Sequence, residues 1–227
     1  MEEQLNICDN NGNGQKISPG WWRTTRRHRA AILLGCAGWA MSGLVLAQSD
    51  DADKAKTIVA TVCSACHGMD GNSTVATFPK LAGRQPEYVA RELREFSSGK
   101  RKSDIMAPIV ATVDPDDFKA LGQYFSAQKP TSERVLDQKA ADAGKKQFLE
   151  GDEAHGVPSC DACHNTDASG SKRAPRLAGQ HRQYLIDQMH NFQNDVRNYE
   201  SARVMREVAK RLTDDQIKAL AEYITGL

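Results

Sequence analysis

Net charge is nearly absent from this 227-residue sequence, in which 30 Lys and Arg face 29 Asp and Glu for a formal +1 at pH 7. That balance excludes a dedicated nucleic-acid binder, whose phosphate-facing surface needs a basic excess. Aromatic residues are scarce, at 6%. Proline (8) and glycine (17) fall far short of collagen-like or low-complexity chains, and 40% hydrophobic content is that of a globular protein. Long apolar runs are missing too, with one exception near the N-terminus, which excludes a polytopic membrane protein. No strand pattern of the βαβ kind is visible. What remains informative is the placement of six cysteines.

The one apolar run, Ala30–Ala47, carries no charge and follows four arginines within Arg23–Arg29. A basic segment, an apolar segment and a small residue at the end describe a secretory signal peptide, with cleavage expected after Ala47. Eighteen residues is also the lower limit of a membrane span, so an uncleaved leader would be an anchor. Leu33-Leu34-Gly35-Cys36 resembles a lipoprotein box set too early, and Arg26-Arg27 a twin-arginine signal lacking its apolar continuation. Residues 1–47 are therefore read as extension and leader, with Cys8 and Cys36 leaving with them.

The other four cysteines form Cys63-Ser64-Ala65-Cys66-His67 and Cys160-Asp161-Ala162-Cys163-His164. C-x-x-C-H is the attachment motif of c-type haem. Residues three apart lie on one helix face, so both thiols reach the two vinyl groups of one porphyrin while the adjacent His turns to the iron. A thioredoxin-like motif would sit beside a βαβ unit, and a structural zinc would need four converging ligands. Two pairs 97 residues apart, each with its own histidine, fit neither.

The chain repeats itself. Pro79-Lys80-Leu81-Ala82-Gly83 matches Pro175-Arg176-Leu177-Ala178-Gly179, and Tyr88 and Phe96 match Tyr184 and Phe192. Met106 matches Met205 after three extra residues, and Leu121 and Tyr124 match Leu220 and Tyr223. The unit reads as helical. Asp53–Val62 and Ala140–Glu150 lead towards the motifs, and Pro86 opens a helix whose apolar face is Tyr88, Val89, Leu93 and Phe96. Asp114-Pro115 and the capping box Thr213–Gln216 open the two closing helices. The expected organisation is a first domain at 48–128, a linker at 129–137 and a second domain at 138–227. A unit this small buries little core unaided, so the porphyrin would supply its apolar centre.

The iron's remaining position decides between electron transfer and catalysis. Methionine raises the potential and closes the site. Met106 and Met205 follow their histidines by 39 and 41 residues at equivalent places and are the expected distal ligands. Met69 is too close to His67, and Met189 belongs to an apolar helix face. His155, His181 and His190 have no counterparts in the first unit and read as surface or core residues. The carbonyls of Pro79 and Pro175 are natural acceptors for the proximal imidazoles. Arg84, Tyr88, Arg176 and Tyr184 are candidates for haem propionates, with packed or solvated side chains as the alternative. The basic run Ser98–Lys102 reads as a solvated loop, or else part of a docking face.

In these features the sequence from residue 50 on resembles the cytochrome c4 family of exported di-haem cytochromes. The resemblance implies an all-α fold of two tandem class I cytochrome c domains related by a pseudo-twofold axis, with two covalent haem c groups. It implies an electron carrier, with no catalytic residues, that delivers electrons to a terminal oxidase in the periplasm near the membrane surface. A cytochrome bc complex or a dehydrogenase would be the donor, and no nucleic acid is involved. Val204-Met205-Arg206 departs from the family, which often has paired methionines followed by proline. The rival readings are a dedicated cytochrome subunit of a larger dehydrogenase and a di-haem peroxidase.

Overall fold

Apolar residues at helical spacing, first-turn prolines and acidic or hydroxyl caps recur twice along this chain, and the backbone follows them. The structure, a computed structural model, describes the backbone of residues 43–227 and side chains from residue 50 on. The leader read over 1–47 lies outside these residues except for the helical backbone at 43–47. Among the described residues there is no strand, only an isolated bridge between Asp152 and Val157. None of their helices is long and apolar enough to cross a membrane.

Helix α1 (Gly43–Ile58) passes through a π-helical turn at Val59–Cys63 into α2 (Ser64–His67), so the first C-x-x-C-H motif ends a continuous helical segment. The wider turn shifts the helical register where the motif begins, as π-turns at functional sites do. In α3 (Pro86–Ser97) proline takes N1, where a missing N–H costs nothing. Met106 opens a short helix, α4 (Met106–Val110), whose first turn accommodates Pro108. The Asp114 carboxylate accepts from Asp116 N at 3.0 Å and starts the turn leading into α5 (Phe118–Ser126).

The second half runs α6 (Gln138–Glu150), α7 (Asp161–His164), α8 (Arg182–Gln193), α9 (Arg203–Ala209) and α10 (Asp214–Thr225). Asp137 caps α6, and the capping box of α10 is complete, with Thr213 N donating to Gln216 Oε1 and Gln216 N to Thr213 Oγ1. Unlike α1, α6 stops short of its motif. Gly151, at φ +71°, turns the chain into a loop before Cys160.

Two glycines set the helix crossings. A Cβ on Gly122 of α5 would collide with the Pro86 carbonyl of α3, and one on Gly144 of α6 with the Ala219 carbonyl of α10. Each half has its own core. Val59, Val89, Phe118, Leu121 and Phe125 gather in the first, and Phe148, Val157, Ile217, Leu220 and Ile224 in the second. A smaller cluster, Phe192, Tyr199, Ala202 and Ala209, lies under α9.

The halves are tied together by buried polar groups. Glu92 Oε2, on α3, accepts from Arg101 (2.7 Å), from Arg197 (3.1 Å) and from the Tyr199 hydroxyl (2.7 Å). Arg101 also donates to Tyr184 Oη and Gln188 Oε1 on α8. The reading of Ser98–Lys102 as a solvated run fails at Arg101 alone: Ser98, Gly99, Lys100 and Lys102 are exposed, but Arg101 is only 7% exposed because its charge is consumed between the halves. The segment 129–137 is pinned at both ends. Thr131 donates to Asn72 Oδ1 on the first half, while Glu133 N donates to Thr225 O and Asp137 N to Glu222 on the second.

Candidate functional site

The two motifs sit on α2 and α7, one-turn helices that each end in a buried histidine. Each helix is stopped by a residue at positive φ, Gly68 (+76°) in the first copy and Asn165 (+63°) in the second. With ψ at 157°, Asn165 lies outside the left-handed helical well, in a region that residues other than glycine seldom adopt. The Asn165 amide donates to Gly170 O at 2.6 Å, so its turn is also closed from the side chain. A serine braces each motif: Ser73 Oγ donates to Cys66 O (2.9 Å) and Ser171 Oγ to Cys163 O (3.1 Å). Sequence reasoning missed these serines. Their near-equal spacing after the two motifs was the available signal.

His67 Nδ1 lies 2.8 Å from Pro79 O, and His164 Nδ1 lies 2.9 Å from Pro175 O. A carbonyl can only accept, so Nδ1 carries the proton in both rings and Nε2 keeps its lone pair. Burial holds both pKa values below the ordinary imidazole range, the proline carbonyls pulling weakly the other way. Both rings are therefore neutral donors at physiological pH, the form that ligates a metal.

Cys63 packs against the first core and Cys160 against the second. The pairs therefore belong to separate sites, as the one-haem-per-repeat reading expects and a shared zinc does not. Among the described residues all four cysteines are free of disulfides. Burial pushes the Cys63 and Cys160 thiols up to about 11, so both are protonated at neutral pH. Met106 packs on the first core, as do Cys63 and Leu81. Met205 packs with Met189 on the smaller cluster under α9.

The four propionate candidates lie at the junction of the halves. Arg84 is buried, with Nε donating to Lys80 O at 3.2 Å. Arg176 Nε is buried with no hydrogen-bond partner among the described residues. Tyr88 is half-buried, with the Arg91 guanidinium 5.2 Å from its ring centroid, and Tyr184 Oη accepts from Arg101. Burial pushes the Tyr88 hydroxyl up, so it is a neutral donor. The remaining histidines pair with carboxylates: His155 with Asp152, His190 with Asp214, and His181, the buried one, with Glu133.

The residues present fit a c-type haem in each half. Each half offers two thiols on one helical turn, a neutral imidazole with a free Nε2, an apolar core and cationic groups at the junction. The unpartnered Arg176 Nε is what a site lacking its anionic partner leaves behind.

The sequence profile of the Cytochrome c family matches the chain twice, over residues 52–139 and 141–227. The chain is 35% identical to cytochrome c4 of Azotobacter vinelandii over 180 residues, 74% of this chain and 85% of that one. The solved structure of reduced recombinant cytochrome c4 from Pseudomonas stutzeri superposes with a TM-score of 0.73 at 34% identity, covering 78% of this chain and 98% of that one. A thiosulfate dehydrogenase electron acceptor of Stutzerimonas stutzeri is 31% identical over 202 residues, 87% of this chain and 92% of that one.

Proposed function

The chain belongs to the cytochrome c4 family, an electron carrier with two covalent haem c groups in tandem cytochrome c domains, and on that premise we propose that it carries electrons in the periplasm to a terminal oxidase with both irons held by His and Met. The observation that carries the ligand assignment is the pair of His Nδ1–proline carbonyl bonds, which leaves one free Nε2 beside each pair of thiols.

Bound haem c supplies a one-electron ferric/ferrous couple at each site. Cys63 and Cys66, and Cys160 and Cys163, hold the two groups covalently. His67 and His164 would supply the imidazole ligands, with Pro79 and Pro175 fixing ring orientation and enriching the donor nitrogen. Met106 and Met205 would give each iron its thioether ligand, exclude small ligands and raise the potential. Arg84 and Arg176, with Tyr88 and Tyr184, neutralise or bond the propionates at the junction. Fixed ligands in two packed cores keep rearrangement on electron transfer small. Domains at 48–128 and 138–227, joined by a pinned linker, follow from the same reading, as does export by the leader at 1–47. Electrons enter from a cytochrome bc complex or a dehydrogenase by transient docking.

The experiment mixes fully reduced protein with oxidase-containing membranes and follows reoxidation under oxygen. Cyanide-sensitive reoxidation of both haems is expected. A second reading, a carrier dedicated to one dehydrogenase, is favoured by the likeness to the thiosulfate dehydrogenase electron acceptor. Absence of reoxidation, together with stable copurification of a dehydrogenase, would put that reading first.

A further inference from the structure

The carbonyls that face the two proximal histidines belong to peptide groups that are themselves bonded from behind. The Pro79 carbonyl shares its peptide with the N–H of Lys80, and that N–H donates to Gln180 Oε1 at 2.8 Å. The Pro175 carbonyl shares its peptide with the N–H of Arg176, which donates to Gln85 Oε1 at 2.7 Å. Gln180 comes from the second half and bonds the first half's peptide; Gln85 comes from the first half and bonds the second's.

Both amide orientations are fixed by chemistry. Gln180 Nε2 donates to Lys80 O (3.1 Å) and Gln85 Nε2 to Ser169 O (2.8 Å), so each oxygen must face the backbone N–H. Both peptides are trans, so the carbonyl and the N–H point in opposite directions and the two bonds lie along one chain. Hydrogen bonds in such a chain polarise one another. An acceptor on the N–H pushes electron density onto the carbonyl oxygen, which then pulls harder on the Nδ1 proton.

We propose that Gln180 and Gln85 are positioning residues acting across the domain junction, each tuning the reduction potential of the haem iron in the opposite domain through the peptide that holds its proximal histidine. The proposal rests on His67 and His164 being the iron ligands. Accepting the Lys80 N–H makes His67 a stronger donor, which favours ferric over ferrous iron and lowers that potential. Gln85 does the same for His164. The two glutamines are not equivalent in the repeat. Gln180 stands where the first copy has Arg84, and Gln85 where the second has His181. Gln180 is 3% exposed and Gln85 only half-buried, so the first domain's haem feels the larger effect.

The test is a redox titration of the full two-haem protein, followed by proton NMR of the haem methyl groups so that each iron is read separately. Gln180→Met removes the acceptor at similar volume. It should raise the first domain's couple by at least about threefold in its equilibrium constant, about 28 mV at 59 mV per tenfold, and leave the second nearly in place. Gln85→Met should raise the second couple and spare the first. Gln180→Glu and Gln85→Glu keep an acceptor and read the same bond with opposite sign, as a fall in the opposite domain's couple. They also cover the case of Met variants that do not fold.

A glutamine that merely satisfied a buried N–H would change stability and leave the potentials alone. Unmoved potentials in folded variants, equal shifts of both haems, or a larger shift in the glutamine's own domain would overturn the proposal. Failure of the underlying ligand reading looks different: the unsubstituted ferric protein would then lack the NMR signals of a Met-ligated, His-ligated iron.

Discussion

At the scale of single residues, the function depends on which nitrogen and which sulfur face the iron. The proline carbonyls fix the protonated nitrogen of His67 and His164, and burial keeps the rings neutral. The distal assignments are tested one at a time. Met106→Ala should abolish half of the ferric Met–iron charge-transfer band, lower one of the two potentials and admit carbon monoxide at one haem; Met205→Ala should do the same at the other. An intact band in either variant would remove that methionine as ligand. The motif cysteines and their histidines could be found in the sequence because covalent attachment fixes their spacing, and the paired methionines because the chain repeats. Ser73 and Ser171 were marked only by their near-equal spacing after the motifs, and Gln85 and Gln180 bond backbone groups of the other half, which no local pattern records. A glutamine within two residues of the glycine in each Pro-x-Leu-Ala-Gly copy was the trace available, and it took the fold to show that each one reaches across.

At the scale of elements, close helix crossings position the motifs. Gly144→Ala drives a methyl group into the Ala219 carbonyl, and α6 and α10 must separate; overpacking of this kind costs about 1–3 kcal/mol. Gly99→Ala is the control. Its φ is +72° but nothing lies within 4 Å, so the cost is the local backbone penalty of about 1–2 kcal/mol. Urea unfolding of the ferric protein should rank Gly144→Ala as the more damaging, with the spectrum of the second domain's haem perturbed only there. Helix starts were readable at Pro86, Asp114 and Thr213 because caps act within one turn. The π-turn before Cys63 and the helix at Met106 were not readable, since neither has a capping side chain at its N-cap. Glu92 also escaped notice. It sits on the buried face of α3 among Val89, Ala90 and Phe96, and only the arginines from elsewhere make that position tolerable.

At the scale of the whole molecule, Glu92 joins the two halves. Burial alone would push its carboxyl up, but Arg101 and Arg197 with the Tyr199 hydroxyl outweigh it and hold the pKa below the ordinary carboxylate range. A depressed pKa contributes stability that is present above the unfolded value, about 4.3, and is lost as pH falls through the lower folded value. Glu92→Gln leaves two buried guanidinium groups without their counter-charge and should cost about 3–5 kcal/mol. Thermal melts between pH 7 and pH 3 should show an acid-side loss in the unsubstituted protein that is reduced in the variant; parallel curves would remove Glu92 from that role. The duplication itself was plain in the sequence because it repeats every few residues. The junction was misread at Arg101, because a charge run looks solvated whatever it meets after folding.

The most direct test of the central claim, two closed His–Met haem sites in an electron carrier, is a visible spectrum of periplasmically matured protein: oxidised, reduced, and reduced under carbon monoxide. The account predicts two haems per chain, a ferric Met–iron band of full intensity and no response to carbon monoxide. Carbon monoxide binding to either haem of the unsubstituted protein would contradict it, strike Met106 or Met205 from the ligand set, and make an open, reactive iron the feature to explain.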